Sequence, residues 1–209
     1  MILFVNVSPK REKSNSCHFL NMLKEQLEEE CEYIDSSQLK ETTLLAVKMD
    51  IADAVVIGMP VYVDSVPAQF VEMMEELYAD FVGEFAQMPV YVIANGGFYE
   101  SRQMETLFEI IENWCIKMKF NYGGGLAIGA GEMLGGLSRI PWYKKLNTRL
   151  ENGISQLAEG IRKREPVGNL FIEPPLGYTK GAYILGAHLR WQRIARQNNL
   201  SGKDLRKRW

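Results

Sequence analysis

Short apolar runs alternate with longer periodic ones along this chain. The short runs are "ILFVNV" (2–7), "CEYID" (31–35), "DAVVIGM" (53–59), "PVYVIAN" (89–95) and "GGLAIG" (124–129). Most are apolar at successive positions and rich in Val and Ile, the pattern of strands buried on both faces. The stretches between them carry helical stripes. Phe19, Leu20, Leu23 and Leu27 follow the first run, opposite the acids of "EQLEEE". Phe70, Val71, Met74, Leu77, Tyr78 and Phe81 follow the third. Met104, Leu107, Phe108, Ile111, Trp114, Cys115 and Met118 follow the fourth and make the clearest amphipathic face. Residues 41–51 give a weaker helix, and 144–164 a fifth with Leu146, Leu150, Ile154, Leu157 and Ile161.

Five strand–helix alternations imply a parallel sheet covered by helices on both faces. Their span, residues 1–165, suits a flavodoxin-like α/β three-layer sandwich whose five-stranded sheet runs 2-1-3-4-5. From Pro166 the rhythm breaks: "EPPLGY" reads as an extended turn, and a helix is expected from Gly181 to Asn198. Residues 166–209 are therefore expected to form a C-terminal helical extension.

Composition adds little until charge is divided along the chain. With 46% hydrophobic and 24% charged residues, this is ordinary globular composition. The net charge of −2 conceals seven Lys/Arg against one acid in residues 190–209, so the tail carries +6 and the rest −8. The overall charge of −2 argues against a chain devoted to nucleic acid. A basic amphipathic tail can touch an acidic membrane surface, although packing on the acidic body or on a partner subunit is the favoured expectation. Cys17, Cys31 and Cys115 stand far apart without a metal-ligand or disulfide pattern, so Cys17 and Cys31 read as core or helix residues and a cytoplasmic setting is expected. "MILFVNVS" has no basic leader and reads as a first strand. No apolar run approaches the roughly 18 residues of a membrane span.

Open parallel sheets bind ligands at the carboxyl ends of their strands, where strand order reverses. That rule selects three loops. "VSPKREKSNS" (7–16) delivers Ser14, Asn15 and Ser16 to a helix start, where free N–H groups and the helix dipole favour a phosphate. Ser8 and Lys10 stand nearby. Ser and Asn are also ordinary helix caps, and the loop alone does not separate these readings; the Walker pattern is absent. "GMPVYVDSVPAQ" (58–69) brings Pro60, Val61, Tyr62 and Val63 to the crevice, either as one face of a flat ring's site or as local packing. "ANGGFYES" (94–101) offers Asn95, Gly96, Gly97, Phe98 and Tyr99, or a plain Asn-Gly turn. Together the loops suit a phosphorylated, flat, amphipathic ring system, and FMN fits.

"SPKREKSNS", "PVYVDSVPAQF" and "NGGFYE", in this order and spacing, resemble the flavodoxin-like NAD(P)H-dependent FMN reductases, a group that includes WrbA-like quinone reductases and iron–sulfur flavoproteins. "GLAIGAGEM" and "ARQNNLSGKDL" extend the resemblance over most of the chain. It implies that Ser8, Lys10, Ser14, Asn15 and Ser16 hold the FMN phosphate and that Pro60–Val63 and Asn95–Tyr99 flank the ring. It further implies an NAD(P)H donor, a quinone-like or other small electron acceptor, and a homodimer or higher homo-oligomer. Val7 stands where the family often has glycine, and the missing cysteine cluster excludes the iron–sulfur branch. Because FMN carries the redox step, no catalytic side chain and no metal ligand is expected. His18 and His188 read as structural or surface residues. "GAGEMLGG" (129–136) fails the dinucleotide fingerprint at Leu134 and reads as a flexible loop on the acceptor side. The rival readings are a flavodoxin-type electron carrier and a binding or regulatory protein without turnover.

Overall fold

The structure is a computed structural model that describes residues 1–140, 147–174 and 178–207. Six strands form one sheet: β1 (Ile2–Asn6), β2 (Cys31–Asp35), β3 (Ala54–Pro60), β4 (Pro89–Asn95), β5 (Asn121–Ile128) and β6 (Gly168–Ile172). Every pairing is parallel and the order is β2-β1-β3-β4-β5-β6. The expected flavodoxin-like order is therefore present, with a sixth strand added beside β5.

Alternate residues of each central strand enter two separate cores. Ile2 and Phe4 of β1, Val56 of β3 and Ile93 of β4 face α1 (Asn15–Lys24) and α6 (Thr148–Lys163). Leu3, Val5, Ile57 and Val92 face the other way, toward α3 (Ala68–Phe81) and α4 (Glu105–Met118). Both faces are apolar because both are covered, which explains the unbroken hydrophobic runs. The helix stripes follow: α4 buries Leu107, Phe108, Ile111, Trp114, Cys115 and Met118, and α6 buries Leu150, Ile154, Leu157 and Ile161. Each such side chain contributes about 1.5–3 kcal/mol when removed from water. In α3 the face is rotated from the expected stripe: Phe70, Met73, Met74 and Leu77 are buried, while Val71 and Tyr78 are exposed. The weak candidate at 41–51 is α2 (Thr42–Asp50). Residues 144–146 of the expected fifth helix lie outside the described residues.

The glycine run before β5's apolar half has a packing cause. A Cβ on Gly123 would lie 2.2 Å from the Tyr91 ring, and Gly124, at φ +103°, passes beside the Gly168 carbonyl of β6. Tyr91 is fully buried, and its hydroxyl is shared between the carbonyls of Gly160 and Glu165 at 3.0 Å each. Burial pushes its phenol from an ordinary 10 to about 12.

Contacts divide the chain into Met1–Pro174 and Pro175–Trp209. The first unit extends past residue 165 because Gly168–Ile172 hydrogen-bond to β5 as a strand. The second is built on α7 (Lys180–Gln197), whose first turn is capped by Thr179 accepting from Ala182 N–H at 3.2 Å. His188 sits on this helix, bonded to the Ile184 carbonyl one turn back. Among the described residues, no helix is long and apolar enough to cross a membrane, and no cluster of His, Cys, Asp or Glu could hold a metal ion.

Candidate cofactor cleft

The β1–α1 loop is built around one residue that periodicity does not single out. Asn6 closes β1 and is 2% exposed. Its Nδ2 donates to the Arg11 carbonyl (3.1 Å), and its Oδ1 accepts from Ser8 N–H (3.2 Å). The loop therefore folds back over its own strand and turns through a short 3-10 segment, Arg11–Lys13. Ser14 then adopts extended backbone and caps α1. Its hydroxyl accepts from Cys17 N–H at 3.0 Å and donates to the Arg11 carbonyl at 2.6 Å. The N–H groups of Asn15 and Ser16, at the first two positions of this ten-residue helix, have no hydrogen-bond partner among the described residues. Neither has the hydroxyl of Ser8, although that residue is 2% exposed. Ser16 donates its hydroxyl to Asn95 Oδ1 (2.8 Å), tying the helix start to the end of β4.

The loop after β3 runs through Pro60 and Val61, whose N–H bonds to the Asn95 carbonyl at 3.0 Å. Tyr62 and Ser65 exchange backbone hydrogen bonds across a tight turn. Its corners, Val63 and Asp64, have φ +51° and +57°, a left-handed conformation that a β-branched residue adopts only under strain. Val63 is 97% exposed. After β4, Gly96 lies under the Phe98 ring: a Cβ there would meet it at 2.6 Å. The segment expected as a flexible loop is instead a helix, α5 (Gly131–Leu137), fixed by Gly131 N–H to the Gly96 carbonyl (2.7 Å).

These loops enclose a cleft of about 250 Å³. The first contributes Ser8, Lys10, Ser14, Asn15 and Ser16, the second Pro60, Val61 and Tyr62, the third Asn95, Gly96 and Gly97, and α5 adds Glu132. Val63, Phe98 and Tyr99 do not line it. Val63 points from the turn tip into solvent, and Phe98 packs against the α3–α4 core. Of the residues missed from sequence, Asn6 left one trace, as the lone polar residue inside "ILFVNV". Gly131 and Gly135 left another, four residues apart on what is a helix. His18 bonds Ser138 Oγ at 2.7 Å and so links α1 to the segment after α5.

The cleft joins two kinds of surface. One end presents free helix N–H groups, the cleft-lining Ser8 hydroxyl and Lys10, a donor set suited to an anion. The other presents Pro60, Val61 and Tyr62 beside glycine-rich backbone, which suits a planar ring. The residues present therefore fit FMN.

Comparison with known proteins agrees in fold and gives the family. A structure described as a flavone reductase superposes with a TM-score of 0.59 at 12% identity, covering 95% of this chain and 91% of that one. A flavodoxin from Streptococcus pneumonia TIGR4 gives 0.56 at 12% identity, over 78% and 98%. An NADPH-quinone reductase from P. pentosaceus gives 0.53 at 16% identity, over 75% and 95%. No curated protein matches the chain. Residues 1–118, β1 through α4, match the family model described as NADPH-dependent FMN reductase. Since that match covers more than half of the chain and contains all three loops that converge on the cleft, the protein belongs to the NADPH-dependent FMN reductase family.

Proposed function

We propose that the cleft at the carboxyl ends of β1, β3 and β4 binds FMN and that the protein passes electrons from NAD(P)H to a quinone-like or other small acceptor. The observation that carries this reading is the convergence of unpartnered donors at the start of α1 with an apolar rim at Pro60–Tyr62. Bound FMN supplies the hydride-accepting and electron-donating chemistry. The chain's own residues hold and orient. The N–H groups of Asn15 and Ser16, the Ser8 hydroxyl and Lys10 bind the phosphate. Pro60, Val61 and Tyr62, with the backbone of Asn95, Gly96 and Gly97, would hold the ring. Ser14 acts as the cap that keeps the N–H groups in place, and the Phe98 ring packs against Gly96 and shapes the loop. A cleft of about 250 Å³ is smaller than a typical enclosed ligand pocket.

The test is reduction of flavin-loaded protein by NADH and NADPH without oxygen, followed by addition of a simple benzoquinone. Bleaching of the flavin band by a nicotinamide and its return on quinone addition is the expected result. Flavin that stays oxidised with both nicotinamides would contradict the enzyme reading and leave an electron carrier. The proposal also includes a homo-oligomer: α7 exposes Leu185, Leu189 and Trp191, apolar surface suited to a second copy. Light scattering of the purified protein tests it, and a monomer mass would overturn that part.

A further inference from the structure

The glycine-rich segment after β5 fails as a nucleotide fingerprint, yet it touches α1 and the end of β4 at four points, three of them on the cleft-lining Asn15 and Asn95. Gly131 lies against Asn95, where a Cβ would stand 2.9 Å from the asparagine Cβ. One turn on, a Cβ at Gly135 would meet Asn15 Oδ1 at 2.5 Å and Cγ at 2.7 Å. Ser138 bonds His18, and Arg139 Nη2 donates to Asn15 Oδ1 at 3.4 Å. Positions 131 and 135 share one face of α5, and the turn that follows at 138 and 139 continues toward the same side, so the segment registers as a unit against α1 and β4.

The chemistry of the Arg139 contact is directional. A guanidinium can only donate, so its neighbour on Asn15 must be the carbonyl oxygen. The other end of the amide, with two N–H donors, has no partner among the described residues, and Asn15 lines the cleft. Gly135 supplies the space that lets the amide lie there. Gly136, on the same helix, has nothing within 4 Å of an added Cβ.

We propose that Gly135 and Arg139 are positioning residues that hold the Asn15 side chain with its N–H2 group presented to the cleft as a donor to the cofactor's phosphate. This rests on the assignment of the cleft to FMN. It explains why glycine stands at a buried position of a helix, where alanine would favour the helix by about 1 kcal/mol.

The experiment compares G135A with G136A in titrations with FMN and with riboflavin, which lacks the phosphate. Both substitutions raise helix propensity equally, and only the first displaces Asn15. G135A and Arg139→Met are each expected to raise the Kd for FMN about ten-fold, the loss of one hydrogen bond to a charged group. Riboflavin affinity should change by less than about two-fold, and G136A should change neither. In the cofactor-free protein, the side-chain and backbone amide NMR signals of Asn15 should shift in G135A and stay in G136A. In an Asn15→Ala background, G135A should cost nothing further, which also guards against a variant that simply folds poorly. Equal losses for FMN and riboflavin, or matching effects of G135A and G136A, would overturn the proposal. Wild-type protein that takes up no FMN would overturn the flavin assignment, and the amide signals would then judge the hold on Asn15 separately, unshifted signals refuting it.

Discussion

Ser14 separates two accounts of the phosphate loop. Its one hydroxyl proton is given to the Arg11 carbonyl at 2.6 Å, and its oxygen takes the Cys17 N–H at 3.0 Å. The geometry makes Ser14 the cap of α1, with no proton left for a phosphate. Ser14→Ala strips both bonds and leaves the buried Cys17 N–H unpaired. Cap loss costs about 1 kcal/mol and the second bond about another 1 kcal/mol, so unfolding free energy should fall by about 2 kcal/mol. FMN affinity should fall less than ten-fold, since the ligand re-forms the first turn as it binds. Ser14→Asp keeps a good cap acceptor but sets a carboxylate beside the phosphate. A single charge about 5 Å from a dianion, at an effective dielectric near 40, costs about 3 kcal/mol, roughly 100-fold in Kd. Urea denaturation without cofactor and flavin fluorescence titration read the two quantities independently. If Ser14→Ala kept full stability yet lost more affinity than Ser14→Asp, the hydroxyl would be a direct phosphate ligand and the capping account would fail.

The remaining predictions concern the frame around the cleft. Val63→Gly removes a left-handed β-branched residue that is 97% exposed, so it should raise stability by about 1 kcal/mol in urea denaturation; unchanged or lower stability would show that the turn is unstrained. Gly123→Ala drives a methyl into the Tyr91 ring and should cost about 3 kcal/mol or more, while a cost below about 1 kcal/mol would refute the close packing. The Tyr91 phenol has a folded value raised from 10 to about 12 by burial, so its contribution is fully present below pH 10 and lost as pH rises toward 12, about 2–3 kcal/mol in all. Tyr91→Phe should flatten stability over that alkaline window, and an unchanged slope would count against it. Burial also pushes the Cys115 thiol up to about 12, so alkylation followed by mass spectrometry should modify Cys31 first and Cys115 only after unfolding.

Particular residues show why some of this was readable from sequence and some was not. The central strands and α4 announce themselves because a strand buried on both faces and a one-sided helix leave different periodicities. The three loops follow from topology, since a parallel sheet fixes where its strands end. β6 is hidden because "GNLFI" is a five-residue edge strand, half-exposed, that opens on a glycine at φ +69°; only its pairing with β5 defines it. The rotation of α3, which leaves Val71 and Tyr78 outside, depends on which face meets the sheet and not on residue type. In the cleft, Ser14 and Ser16 are legible as residues of the loop, but their partners, Arg11, Cys17 and the distant Asn95, depend on hydroxyl direction. The contacts of Gly135 and Arg139 with Asn15 cross more than a hundred residues, a pairing that no local pattern encodes.

Everything proposed for this protein rests on the cleft between Asn15, Pro60 and Asn95 being an FMN site. Titration of cofactor-free protein with FMN, followed by quenching of flavin fluorescence, tests it most directly. Saturation at one FMN per chain is expected, with Ser14→Asp weakening uptake roughly 100-fold. Flavin fluorescence that stays unquenched by wild-type protein, or uptake that Ser14→Asp leaves intact, would contradict it.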